Sequence, residues 1–198
     1  MVEVTKTRTR LSPEARKNQL LDVSKEIILE LGLQGFSMEA LARSAGVSSP
    51  LVYTYFDSRL DALRCLLARE YKDYIARLNE AMAEAADFQA VVRVNIENNF
   101  DHYAPGNIMP ILESQPEIAS VIQSEADKNG RALARYLVSA TADTYKLTSR
   151  KAELLVKMSS GASIAAAEYA SLGRMARKTA VDTALSYILA GLEHASDR

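Results

Sequence analysis

Between Ser37 and Phe56 two short apolar-periodic stretches flank Gly46, Val47 and Ser48. The first opens on Ser37, and the second carries Ser49, Leu51, Tyr53, Thr54 and Tyr55 within reach of one surface. Hydroxyls and aliphatic groups in that pattern suit hydrogen bonding to phosphates and contact with base edges. Glycine supplies the tight or left-handed turn, Val47 packs between the helices, and Ser48 caps the second. A helix presented in this way exposes unpaired N–H groups and its positive dipole end, which fits entry into a major groove. The same residues also fit an ordinary helical hairpin, and the turn alone does not separate the two. Upstream, Lys6, Arg8 and Arg10 alternate with Thr5, Thr7 and Thr9. Residues 1–11 therefore read as a flexible basic arm, either a solvated tail or a contact to phosphate and minor groove.

The remaining reactive side chains do not assemble into a site. Asp101 with His102, the single cysteine Cys65, and the Ser159–Ser160 pair supply a nucleophile and a base only on paper. No nucleophile elbow, P-loop, Rossmann glycine pattern or His-Glu-x-x-His motif accompanies them. With two histidines, His102 and His194, and one cysteine, the supply of metal ligands is poor. No catalytic residue, metal or cofactor is expected, and Cys65 is expected to be a buried helix residue without a redox role. The 198 residues are 48 % hydrophobic and 25 % charged with a net charge of −1, a globular balance that excludes a disordered or low-complexity chain. Apolar runs are short and broken by charge, and MVEVTKTRTR has no apolar stretch to serve as a signal. A cytoplasmic protein without membrane contact is the expectation.

The elements that must position these residues are helices, giving an all-α class. Ser12, Pro13 and Glu14 start a first helix with the stripe Leu20, Val23, Ile27 and Leu31, ended by Gly32. The two short helices follow. Asp57 or Ser58 then caps a long fourth helix, whose apolar positions Leu60, Leu63, Leu67, Tyr71, Tyr74, Leu78 and Met82 form one face. A fifth carries Phe88, Val92, Ile96, Phe100 and Tyr103 and breaks at Pro105–Gly106. Pro116 opens a helix to about Tyr145, bent near Gly130; Thr148 or Ser149 caps another to about Tyr169, and the last spans roughly Ala176 to Ala195.

In the fifth helix Asn95 and Asn99 lie four apart among Phe88, Val92 and Tyr103, with His102 alongside, and Tyr71, Tyr74, Met109, Leu112, Asn129 and Tyr136 are available for other walls. A few polar groups on an apolar wall describe a small-molecule pocket, and equally a plain core. Leu154, Leu155, Met158, Ala162, Ala165 and Ala166 form a leucine and small-residue face on the penultimate helix. Val181, Leu185, Ile188, Leu189 and Leu192 form another on the last. Such faces pack either within one subunit or between two as an isologous bundle.

GFSMEALARSAGVSSPLVYTYFDSRLDAL resembles the signature of the TetR (tetracycline-repressor-like) family of bacterial transcriptional regulators. The matching positions are Gly35 and Phe36, Ala40 to Ala42, Ala45 to Ser48, Val52 and Tyr53, Tyr55 and Phe56, and Ser58 to Leu60, within a signature covering about residues 14–74. The resemblance implies a DNA-binding domain over 12–58, with its motif at 37–56, joined through the long fourth helix to an effector-binding and dimerisation domain over 59–198. It implies that Ser37 touches a phosphate, Ser48 caps the recognition helix, and Tyr53 and Tyr55 contact the DNA backbone. Ser49, Pro50, Leu51 and Thr54 then face base edges. Arg59 stands where the family opens helix four with lysine, and Leu60 where it has an acidic residue. Arg59 keeps the charge for a phosphate but not lysine's geometry. Base readout is expected to lean on thymine methyl contacts and on Lys6, Arg8 and Arg10. The family pattern also implies a homodimer on a near-palindromic operator, built through the last two helices. It implies a small effector between the middle helices that shifts the fourth helix, and scarce internal charge makes that effector largely apolar. A ligand-released repressor is the reading, and a helical interaction module that never touches DNA is its alternative.

Overall fold

A computed structural model describes residues 11–196, and these form an all-α fold. The helices are α1 (Pro13–Gly35), α2 (Met38–Ser44), α3 (Ser49–Tyr53), α4 (Arg59–Glu84), α5 (Phe88–His102), α6 (Met109–Glu113), α7 (Pro116–Ala119), α8 (Gln123–Tyr145), α9 (Ser149–Ser171) and α10 (Arg177–Ser196). Two compact units divide inside α4, the first ending at Leu66 and the second starting at Leu67.

In the first unit Ser12 accepts a hydrogen bond from the Ala15 N–H at 3.2 Å and starts α1 with Pro13 in its first turn. The buried face of α1 runs through Leu20, Leu21, Ser24, Ile27 and Ile28. It stops short of Leu31, which the sequence pattern places on the core stripe but which is 60 % exposed. The backbone leaves helical geometry immediately afterwards, at Gly32 (φ 70°, ψ 175°), a conformation that requires glycine. The hydroxyl of buried Ser24 is satisfied, because its Oγ donates to the Leu20 carbonyl at 2.8 Å. Leu41 and Ala42 of α2, Val52 of α3, and Phe36 and Phe56 at the helix ends complete the core with Leu63 and Leu66. Ser58 Oγ accepts from the Asp61 N–H while an Asp61 carboxylate oxygen accepts from the Asp57 N–H, both at 3.1 Å. That reciprocal arrangement fixes the start of α4.

In the second unit α5, α8, α9 and α10 pack on one another, with Ile96, Phe100, Ala167, Val181, Leu185, Ile188 and Leu192 in one apolar cluster. The single bent helix expected from Pro116 to Tyr145 is instead two. Val121 donates to the Ile118 carbonyl and Ile122 to the Ala119 carbonyl, tight turns that place Ile118 and Ile122 inward, whereas α8 runs through Gly130 unbroken. Salt bridges Arg93–Asp182 (3.0 Å) and Arg177–Asp101 link α5 to α10. Hydrogen bonds from Lys178 and then Arg93 hold the Asp182 carboxyl below the usual range. Among the described residues no helix is long and apolar enough to cross a membrane, and no group of three or more potential metal ligands occurs.

Candidate nucleic-acid interface and effector cavities

The α2–α3 corner is held from both sides. Ser37 Oγ accepts from the Ala40 N–H at 3.0 Å, and the Val47 N–H reaches back to the Ala42 carbonyl at 3.0 Å. Gly46 between them has φ 65°, a left-handed value favourable to glycine. Val52 faces the core, and the other side of α3 is left outward, with Pro50 and Thr54 exposed and Tyr53 48 % exposed. Ser49, Leu51 and Tyr55 are half-buried at its edges. Ser48 occupies the cap position with extended backbone but makes no side-chain cap bond. Pro50 has no N–H to offer, and the Leu51 N–H is taken by the Ser48 carbonyl at 3.0 Å. The Ser48 hydroxyl is therefore exposed without the local bond that engages Ser37. Thr54 differs again, since its hydroxyl donates to the Leu51 carbonyl at 2.6 Å.

Arg59 does a job that its charge alone does not announce. Its Nε donates to the Phe36 carbonyl at 2.8 Å and an Nη to the Leu33 carbonyl at 2.6 Å, with the guanidinium 6.0 Å from the Phe36 ring centroid. These bonds fasten the α1–α2 connection to the start of α4. They also occupy the side-on edge of the fork, so any phosphate contact falls to its remaining N–H groups. Lys6, Arg8 and Arg10 lie outside the described residues. Cys65 is half-buried rather than buried; burial pushes its thiol up, against the pull of the Lys17 ammonium.

Two cavities of the second unit share Tyr74, Gly130 and Leu133. The first, about 380 Å³, takes in the predicted Tyr74, Phe88, Val92, Asn95 and Asn99. Leu133, Leu137, Thr141, Ser159, Ser160 and Ser163 line it too, and Lys157 is the charged residue among its described lining. Asn99 donates to Ser163 Oγ at 3.0 Å. The serines went unread as wall residues because their role depends on α9 facing α5, a pairing of distant segments; their three- and four-residue spacing was the available signal. The second cavity, about 560 Å³, takes in Tyr71, Tyr74, His102, Met109, Asn129 and Tyr136, together with Glu113, Leu78 and Met82. Asn98 donates to the Tyr74 hydroxyl at 2.8 Å and Asn129 to the Tyr71 hydroxyl at 3.0 Å. Burial pushes the Tyr74 phenol up, opposed by the Asn98 hydrogen bond and reinforced by Tyr71 and Glu113. Two expected wall residues line neither cavity: Leu112 is fully buried in the core, and Tyr103 packs against the α5–α10 cluster with its ring edge-on to His102.

The apolar faces expected to meet a second subunit divide sharply. Val181, Leu185, Ile188 and Leu192 are 2–4 % exposed, covered within the chain's own cluster, with Leu155, Ala162, Ala166 and Leu189 packed against it. Periodicity identifies an apolar face but not its cover, and here α5 and α9 cover it. Those four α10 residues are therefore not available to a partner. Leu154 and Met158 of α9 are 58 % and 59 % exposed, and Ala165 is exposed beside them. Gly161 and Tyr169 continue that stripe, and on α10 Thr183, Tyr187, Ala190 and Gly191 are exposed, with Tyr187 at 69 %.

The chain is all-α, with a helix-turn-helix in its first unit and cavities among the helices of its second. Residues 20–63 match the model for bacterial regulatory proteins of the tetR family. The HTH-type transcriptional activator FasR of Mycolicibacterium smegmatis is 29 % identical over 92 residues, 46 % of this chain and 42 % of the relative. The fatty acid metabolism regulator protein of Bacillus subtilis is 27 % identical over 94 residues, 48 % of each chain. The matches thus span just under half the length of these relatives. The fold extends further: the structure of FadR from Bacillus subtilis in complex with stearoyl-CoA superposes with a TM-score of 0.63 at 19 % identity, over 88 % of this chain and 98 % of that one.

Proposed function

We propose that the chain is a sequence-specific DNA-binding transcriptional regulator, acting in the cytoplasm as a homodimeric repressor released by a small, largely apolar effector. The observation that carries this reading is the outward face of α3, with Ser48, Pro50, Tyr53 and Thr54 exposed on a closed helix-turn-helix inside the family match. In this reading residues 12–58 bind DNA, residues 59–198 hold the effector and the dimer interface, and residues 1–11 are the basic arm. Ser37, Ser48, Tyr53 and Tyr55 meet the DNA backbone; Ser49, Pro50, Leu51 and Thr54 face bases, where hydroxyl and methyl contacts carry the selectivity. Arg59 chiefly braces the domain.

One such motif makes few base contacts, so two are needed, about 34–36 Å apart for successive major grooves. The exposed stripe of Leu154, Met158, Ala165 and Tyr187 is the surface assigned to the twofold contact, its small residues allowing close helix approach. The first cavity suits the effector: its described lining is mostly apolar with neutral amide and hydroxyl groups. A relative captured with stearoyl-CoA and relatives named for fatty acid metabolism support a ligand with a long apolar part. The ligand acts by binding the DNA-competent and DNA-incompetent states with different affinity. Selection of bound duplexes from a random pool tests the whole reading. An enriched palindrome with half-sites one helical turn apart is expected. No enrichment over input contradicts it and favours a protein-interaction module.

A further inference from the structure

The second cavity differs from the first in chemistry as well as in place. Three tyrosines, Tyr71, Tyr74 and Tyr136, border it together with the carboxylate of Glu113, and no lysine or arginine is among its described lining residues. Tyr71 and Tyr74 stand with ring centroids 6.0 Å apart and planes 34° from each other, and both border the cavity. Their hydroxyls each accept a hydrogen bond from an asparagine, Asn129 and Asn98, which fixes the ring orientations. The ion-pair partner of Glu113 is His102 at 4.0 Å, too long for a hydrogen bond. The charge of Glu113 also reaches the Tyr74 hydroxyl, raising the cost of ionising that phenol. An anion entering this space meets a carboxylate and the negative faces of aromatic rings. An organic cation meets attraction from both, and its bulk shields the charge from the cost of desolvation.

We infer that this cavity binds an alkylammonium ion, its cationic head held by Glu113 and the faces of Tyr71, Tyr74 and Tyr136. The assignment goes beyond the proposed effector, because it concerns a separate cavity and a charged ligand, and it stands whether or not the protein binds DNA. Titration calorimetry of the full chain with decyltrimethylammonium, decan-1-ol and decanoate, each below its micelle concentration, separates the possibilities. The ammonium ion is expected to bind about tenfold more tightly than either matched chain. Glu113→Gln, which keeps shape and removes charge, is expected to abolish that preference while leaving the alcohol unchanged. Tyr136→Leu, at a side chain that is 49 % exposed and so tolerant of change, is expected to weaken the ammonium ion alone. Equal binding of alcohol and ammonium, or a preference that survives Glu113→Gln, overturns the assignment while leaving an apolar effector in place. Tighter binding of decanoate overturns it as well.

Discussion

The two units bury apolar residues to different ends. In the helix-turn-helix unit Leu20, Ile28, Phe36, Leu41, Val52, Phe56 and Leu63 are each 0–1 % exposed. The second unit has buried positions as complete, such as Ile96 and Leu112, but leaves cavities of about 380 and 560 Å³ beside them. Side chains buried this completely hold one geometry. A core with lined voids gives up dispersion contacts and keeps space for a ligand. Beside those cavities Asn98, Asn99 and Asn129 bond to side chains.

The largest expected effect is on the filled core. Phe56→Ala should cost about 3–5 kcal/mol, while Leu133→Ala at a cavity wall should cost less than about 2 kcal/mol, because Leu133 already borders open space. Paired chemical denaturation measures both, and equal costs remove the distinction between the units. Next comes the outward stripe of α9. Leu154→Glu with Met158→Glu should convert a dimer to a folded monomer in sedimentation and weaken operator binding by about a hundredfold or more. A mutant that stays dimeric moves the interface elsewhere.

Arg59→Ala should destabilise the first unit by about 1–2 kcal/mol through two lost bonds to backbone carbonyls. Its salt dependence of DNA binding should change by less than the single unit expected of a phosphate contact. A full unit change in slope with unaltered melting returns Arg59 to the DNA surface. The smallest contrast is between two cap serines. Ser37→Ala should cost about 1 kcal/mol of stability, while Ser48→Ala, which breaks no cap bond, should leave melting unchanged and lower only DNA affinity.

The same contrast explains what could be read from residues alone. The first unit is written in short-range terms, with Ser37 and Pro13 at helix starts, Gly46 in the turn, and apolar spacing along α2 and α3. Its helix starts therefore come out within a residue or two, whereas α1 runs on to Gly35, past the Gly32 expected to end it. Arg59 escaped because its acceptors, the Phe36 and Leu33 carbonyls, lie more than twenty positions away. In the second unit the long helices are legible, apart from the break between α7 and α8, but their neighbours are not. Val181, Leu185, Ile188 and Leu192 show the same periodicity whether α5 and α9 or a second chain covers them, and Leu112 looks like a wall residue until its surroundings are known. Ser163 and Glu113 become cavity walls only when distant helices meet.

The most direct test is fluorescence anisotropy of the full chain on the DNA immediately upstream of its own gene, at two salt concentrations, against a scrambled duplex. Tight, salt-sensitive binding that prefers the native duplex, and that Tyr53→Ala weakens without loss of fold, is the expected result. Absence of binding even at low salt, with the protein folded, contradicts a DNA-binding role for the exposed face of α3.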